Sequence, residues 1–446
     1  MSKHLIFLTI PALRQADLAN MPNLQSLFSS DESSSTRILH SFPAVTWPAQ
    51  SAMLTGKLPT EHGVTANGFY WRDKQEVEMW TAWNEVIQAP QLWDSLRNVD
   101  CQLTSCVWFP MLSKGCSADY VCMPAPIHQP DGSEDLWCHT KPQEFYGELL
   151  DELGHFPLKH FWGPLANINS SQWIADSVVR VAKKFQPNFF YVYFPHLDYA
   201  AQKDGPDSPS ALAAVADLDR LIGQFAEQMK DALSENEAGN EIDWMVASEY
   251  TITPVDHATY PNRILRNNDL LTVTESEEGE LIDFANSKAW ALVDHQFSQV
   301  YVRDANPEVI AKVVELFRAE QGIGQVVAGD DRKSVGMHHP RAGEVILLSS
   351  KNSWQAYYWW NEDSRAPKFA RTVDIHKKPG YDPVELHVDM ATRSIPLDAT
   401  LIKGSHGLPS MDDDQKGVLL STTGVLQNEQ IADTDIYDIV LTHFQN

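Results

Sequence analysis

Short apolar runs recur along the chain, at 4–10 (HLIFLTI), 101–109 (CQLTSCVWF), 188–194 (NFFYVYF), 242–248 (IDWMVAS) and 343–349 (GEVILLS). They are continuous rather than alternating and rich in β-branched and aromatic residues, as expected of parallel strands covered on both faces. Between them lie two stretches of helical period. Residues 171–186 carry Trp173, Ile174, Val178, Val181 and Phe185, and residues 211–233 carry Leu212, Val215, Leu218, Ile222, Phe225, Met229 and Leu233. Each places its apolar residues on one stripe. Strands alternating with amphipathic helices predict an α/β fold, a central mostly parallel sheet with helices on both faces.

From about residue 268 to 340 the texture changes. An acidic turn, TESEEGE, is followed by strand-like AWALV and QVYV, a helix over 307–320, and QGIGQVVAGDD. This predicts a small α+β lobe, a cap inserted at 268–340 into a core made of 1–267 and 341–446, with the main sheet resuming at Glu344. Ligands of doubly wound sheets sit at the carboxyl ends of strands. The loops after Ile10, Phe194 and Ser248 are therefore where chemistry is expected, together with the turn around Thr46.

The chain has 446 residues, long for one core, and a formal net charge of -26. Such a charge repels a nucleic-acid backbone or an anionic membrane, so neither is an expected partner. No apolar stretch approaches the length needed to cross a bilayer. The N-terminal run reads as a first strand rather than a leader peptide, and the expected location is cytoplasmic. All five cysteines fall between Cys101 and Cys138, without a C-x-x-C pair. They are read as reduced thiols rather than a disulfide framework or zinc ribbon. Of the fourteen tryptophans, the group Trp71, Trp80, Trp83, Trp93 and Trp108 is expected mainly in the core.

The stretch 42–56, FPAVTWPAQSAMLTG, sets Thr46 just before a helical run. A threonine there is an ordinary N-cap, whose hydroxyl accepts from the N2 or N3 amide. With Pro48 at N2 one of those amides is missing. The hydroxyl is then partly free at the positive end of a helix dipole, where a phosphate is favoured.

Extended to Asn67, this stretch carries T-G-x-x-P-x-x-H-G followed by an asparagine, and it resembles the nucleophile segment of the type I phosphodiesterase/nucleotide pyrophosphatase branch of the alkaline phosphatase superfamily. Weaker similarity runs through HHPRAGEVILLS and GSHG. The resemblance implies a threonine nucleophile at Thr46, a phosphate-oxygen donor at Asn67, and two divalent ions, usually zinc. One ion lowers the hydroxyl's pKa, and the pair stabilises the entering and leaving oxygens of an in-line displacement. Asp198 and His406 match two ligands of one metal.

Elsewhere the expected ligands are replaced. Pro11 and Ala12 stand where the family has Asp and Gly, Gln202 stands for a His four residues after Asp198, and Glu249 and Tyr250 stand for Asp and His. Proline has no ligating side chain, glutamine offers a neutral carbonyl, and neutral tyrosine is a poor substitute for imidazole. Three outcomes are open. One metal is held by Asp198, Glu249 and His406 with Gln202 assisting, with manganese or magnesium as alternatives to zinc. Ligands are recruited from His196, Asp256/His257, Asp294/His295 or Asp374/His376. Or the metals are lost and the fold only binds. The expected function is hydrolysis of phosphodiester or pyrophosphate bonds in a small phosphorylated substrate. The alternatives are a phosphonate or phosphomonoester hydrolase and a catalytically silent phosphometabolite-binding protein.

Overall fold

The structure is a computed structural model and describes residues 3–129, 134–234, 241–373, 375–409 and 416–445. A nine-stranded sheet forms its centre. In chain order its strands are β1 (Lys3–Ile10), β2 (Ser34–Leu39), β3 (Ser105–Trp108), β4 (Tyr120–Pro124), β5 (Cys138–Lys141), β6 (Phe189–Tyr193) and β7 (Glu241–Ser248). Four further strands, β8 (Ala289–Asp294), β9 (Phe297–Val302), β10 (Ile323–Ala328) and β11 (Val345–Ser349), build a separate small sheet. The chain then returns to the centre as β12 (Gly417–Ser421) and β13 (Gln430–Ala432). The central order is β13-β2-β12-β7-β1-β6-β3-β4-β5.

The four runs expected to be central strands and lying before residue 250 all pair in parallel: β1 with β6 and β7, and β6 with β3. β12 lies antiparallel between β7 and β2, so β2 points the same way as β1. The loops leaving β1, β2, β6 and β7 therefore open on one edge of the sheet. Helices α2 (Ile168–Phe185) and α4 (Pro209–Ser234) cover one face, with Trp173, Val178, Leu218 and Phe225 in its core. Helix α1 (Thr46–Thr55) and the C-terminal helix α7 (Asp435–Gln445) cover the other, through Met53, Leu54, Ile436 and Val440. Between α2 and α4 a short helix, α3 (Asp198–Asp204), leaves the strand edge.

One strand departs from expectation. The run at 343–349 does not rejoin the central sheet, because β11 lies antiparallel between β9 and β10. Every residue of Val345–Ser349 is buried, so its continuous apolar pattern is that of any strand covered on both faces, parallel or not. A boundary at residue 340 would cut the small sheet, and the central sheet resumes only at Gly417. The helix expected over 307–320 is α6 (Pro307–Arg318). The five cysteines are unpaired, four of them buried. Of the tryptophans singled out, Trp93 and Trp108 are core residues, whereas Trp83 is exposed and Trp80 faces a cavity.

The small sheet ends in β8, whose outer edge is sealed by a side chain. Asn262, at the start of α5 (Pro261–Asn267), donates to the Ala291 carbonyl at 2.8 Å and to the Tyr357 carbonyl at 3.1 Å, and accepts from the Ala291 amide at 2.7 Å. These are the bonds another strand would make. Replacing Asn262 with Ala strands buried backbone groups, and is expected to lower unfolding free energy by about 2–4 kcal/mol in urea titration. A loss below about 0.5 kcal/mol would mean that water satisfies this edge as well as the amide does.

Candidate active site

Helix α1 begins at Thr46 itself. Val45 is the residue flanking it, Thr46 is the first helical position, and no side chain caps the end. The cap expected of Thr46 is thus absent, and Pro48 falls one position later than the sequence suggested. The hydroxyl's partner is instead the phenol of Tyr250, at 3.3 Å. Thr46 lines a cavity of about 1920 Å³, together with Asn67, Asp198, Tyr250, His295 and Tyr381. Asn67 is locked in place: its Oδ1 accepts from the Trp47 amide at 3.0 Å, and its Nδ2 donates to Asp294 Oδ1 at 3.3 Å. One amide proton of Asn67 is left for a ligand beside Thr46.

Of the remaining predicted residues, Asp198 reaches the cavity, while Gln202, Glu249 and His406 converge on the same place from behind its wall. Glu249 follows β7, is fully buried, and accepts through Oε1 from Gln50 Nε2 at 2.8 Å. Gln50 in turn accepts from the Met111 amide at 2.8 Å. Asp198 opens α3, and Gln202, one turn on, donates to its Oδ2 at 2.9 Å and accepts from the Tyr381 hydroxyl at 2.8 Å. His406 follows the short strand Gly404–Ser405, which pairs with Thr253–Pro254 just beyond Tyr250. Its Nδ1 donates to the Ala44 carbonyl at 2.8 Å. Its Nε2 stands 4.0 Å from Asp198 Oδ1. Burial pushes Asp198 up to about 7, against the pull of Gln202 and Tyr250. Burial likewise pushes Glu249 up to about 8, opposed by Gln50 and Thr9, and it holds the His406 imidazole neutral.

Aromatic rings bind these parts together. Tyr250 lies flat on His406 at 3.7 Å, His406 meets His295 at 3.9 Å, and His295 stacks on Tyr381 at 3.8 Å. His295 occupies the two-residue turn between β8 and β9 with φ of 57°, a left-handed conformation uncommon for such a residue. Asp294 accepts from its Nδ1 at 2.6 Å. The Gln296 amide docks the turn on the His406 carbonyl at 2.9 Å.

Of the other histidines weighed from sequence, His196 does not share a face with Asp198. β6 ends at Tyr193, and His196 turns toward Asp217 at 3.9 Å. His257 lies 3.3 Å from the Gln321 carbonyl. His376 lines the cavity, while its companion Asp374 is outside the described residues. Gln50 and Tyr381 were missed by sequence reasoning. Gln50 carried a faint signal, as a polar residue one turn after Thr46 on a helix buried throughout; Tyr381 carried none.

A family model for type I phosphodiesterase/nucleotide pyrophosphatase matches residues 5–382. The chain belongs to that family. Murine ectonucleotide pyrophosphatase/phosphodiesterase 5 superposes with a TM-score of 0.61 at 12% identity, covering 99% of this chain and 95% of its own. Phosphonoacetate hydrolase from Sinorhizobium meliloti, in complex with phosphonoformate, gives 0.62 at 14%, covering 99% and 96%. A pyrophosphatase/phosphodiesterase of Schizosaccharomyces pombe, itself uncharacterized, is 21% identical over 201 residues, 43% of this chain. The match spans about a third, 34%, of that relative's length.

The family resemblance implies two divalent ions, and the donors here do not fit such a centre. Asp198 Oδ1, Glu249 Oε2 and His406 Nε2 are buried without hydrogen-bond partners, the mark of donors able to face one ion or a ligand. Yet among the described residues no group of three His, Cys, Asp or Glu side chains is placed to hold a metal. The Pro11 position offers no donor. Gln202 and Gln50 supply the carboxylates with hydrogen bonds instead, and Tyr250 fills the imidazole position with its ring. Elemental analysis after loading with zinc or manganese is therefore expected to find at most one ion per chain, lost in Asp198→Ala and His406→Ala. Two ions surviving both substitutions would reveal a centre built from other residues.

Proposed function

We propose that the protein is a phosphoester hydrolase acting on a phosphodiester, with Thr46 as the attacking group. The observation that carries this reading is the state of Thr46: an uncapped hydroxyl at the N-terminal end of a ten-residue helix, facing a cavity beside the amide of Asn67. In this reading Thr46 Oγ1 forms a bond to phosphorus as the bond to the leaving alcohol breaks. The threonyl proton departs with that alcohol, and water then releases the phosphoryl group. Asn67 donates to a phosphoryl oxygen, and the helix end favours its negative charge. That an inactive variant of the murine ectonucleotide pyrophosphatase/phosphodiesterase 5 is found in complex with AMP supports a small phosphorylated ligand.

A second reading, a phosphometabolite-binding protein without turnover, is favoured by the same incomplete donor set. The two part on one experiment. Hydrolysis of a generic aryl phosphodiester is expected in the native chain and is expected to fall roughly a thousandfold or more in Thr46→Ala, with an unchanged circular dichroism spectrum. Wild-type turnover in that variant would remove Thr46 from the chemistry. No turnover in either protein, with tight binding of a phosphorylated ligand in both, would establish the binding protein.

A further inference from the structure

Thr46 Oγ1 has few neighbours able to give it a hydrogen. Of the amides that follow it on α1, that of Trp47 serves Asn67 Oδ1 at 3.0 Å, Pro48 has none, and that of Ala49 goes to the Val45 carbonyl at 3.0 Å. Asn67 is committed through its amide to Asp294 at 3.3 Å, and the proton it has left is assigned above to a phosphoryl oxygen. What remains is the phenol of Tyr250, at 3.3 Å.

Tyr250 is held as a fixed donor. Its ring lies parallel to His406, with 1° between the planes and 3.7 Å between centres. Its carbonyl accepts from the Ala12 amide at 3.0 Å, and the residue is buried. Ala12 adopts φ of 64°, a left-handed conformation that costs energy in a residue other than glycine and gathers beside functional sites. Pro11, Ala12 and Tyr250 are among the very positions where metal ligands are replaced. Together they now present one hydroxyl to Thr46.

The hydrogen between the two hydroxyls has a direction that changes during the reaction. In the resting chain either oxygen can donate, and the Asp198 carboxyl is a second acceptor for the phenol. Once Oγ1 is esterified to phosphorus it has no hydrogen and can only accept, so the phenol is the donor of the pair. As that ester breaks, the bonding electrons pass to Oγ1, and a donor already in place there binds the transition state better than the ester.

We propose that Tyr250 is a catalytic residue of the second half of the reaction, its hydroxyl donating to Thr46 Oγ1 while water displaces the threonine from phosphorus. The water oxygen bonds to phosphorus as the bond from phosphorus to Oγ1 breaks. One hydrogen of that water ends on Oγ1, which restores the threonine, and the other stays with the monoester product; the phenol keeps its own. This rests on the reading of Thr46 given above. It is tested by mixing bis-para-nitrophenyl phosphate with the native chain, Tyr250→Phe and Thr46→Ala, following nitrophenolate release, and measuring intact protein mass after an acid quench. Phenylalanine keeps the ring that covers His406, so circular dichroism and the thermal midpoint are expected to stay unchanged. Tyr250→Phe is expected to release about one nitrophenolate per chain in a burst. It is then expected to carry an aryl phosphoryl group on Thr46 that decays, once substrate is removed, roughly a hundredfold to a thousandfold more slowly than in the native chain. Equal decay in the two proteins would overturn the role of Tyr250 and leave Thr46 as the attacking group. A Tyr250→Phe protein slowed before the burst, with no adduct, would overturn it too, since the hydroxyl would then act only while the ester forms. Native turnover in Thr46→Ala, or nitrophenolate release with no adduct on Thr46 in any of the proteins, would remove the reading of Thr46 and this proposal with it.

Discussion

Four rings in unbroken contact, Tyr250, His406, His295 and Tyr381, hold the site together. Each comes from a different part of the chain: the end of β7, the segment after Gly404, the β8–β9 turn of the small sheet, and the segment that follows that sheet. An aromatic pair contributes about 0.5–1.5 kcal/mol beyond its buried area, so three successive contacts matter on the scale of a domain's net stability. The last ring is fixed further by its neighbours, because buried Lys378 pairs with Asp382 at 3.0 Å and Glu385 at 3.3 Å. The small sheet is thus not an independent lid. Its core includes Phe42 and Val45 from the Thr46 turn, with Phe42 meeting Phe297 at 5.2 Å.

The strand and helix pattern was readable because burial on both faces writes itself into continuous apolar runs, and one-sided burial into a stripe. The same rule misassigned residues 343–349. A five-residue run cannot say which of two buried sheets it belongs to, and only pairing with β9 and β10 decides that. Thr46 and Asn67 were expected from one local motif, and Asp198, Glu249 and His406 from the family resemblance; the structure brings all five to one edge of the sheet. Their second layer was not expected. Gln50 reaches Glu249 from 199 residues away, and Tyr381 reaches Gln202 from 179; contacts at such separation leave no mark on local periodicity. The helix start was misread by one residue because the capping geometry, not the residue type, sets it.

The substituted positions form a consistent replacement rather than scattered losses. Ligands that would face a cation must be charged or strongly donating, and without the cation such groups are costly to bury. Here each retained carboxylate receives an amide from glutamine, and burial lifts its pKa toward or above neutrality. The histidine that remains is neutral and covered by a phenol ring.

That exchange also bears on which phosphate the floor suits. The groups beside Thr46 are the amide of Asn67 and the phenol of Tyr250, whose pKa burial, with Asp198 and Glu249 beside it, keeps well above its ordinary value. Both are neutral donors. Neutral donors and a helix end, equivalent to about half a positive charge, suit an anion carrying a single charge. A dianion would add repulsion from any of the nearby carboxylates that ionises. A phosphodiester bears one charge and a phosphomonoester at neutral pH nearly two. On the proposed reading, the neutral donors beside Thr46 therefore suit a phosphodiester better than a phosphomonoester.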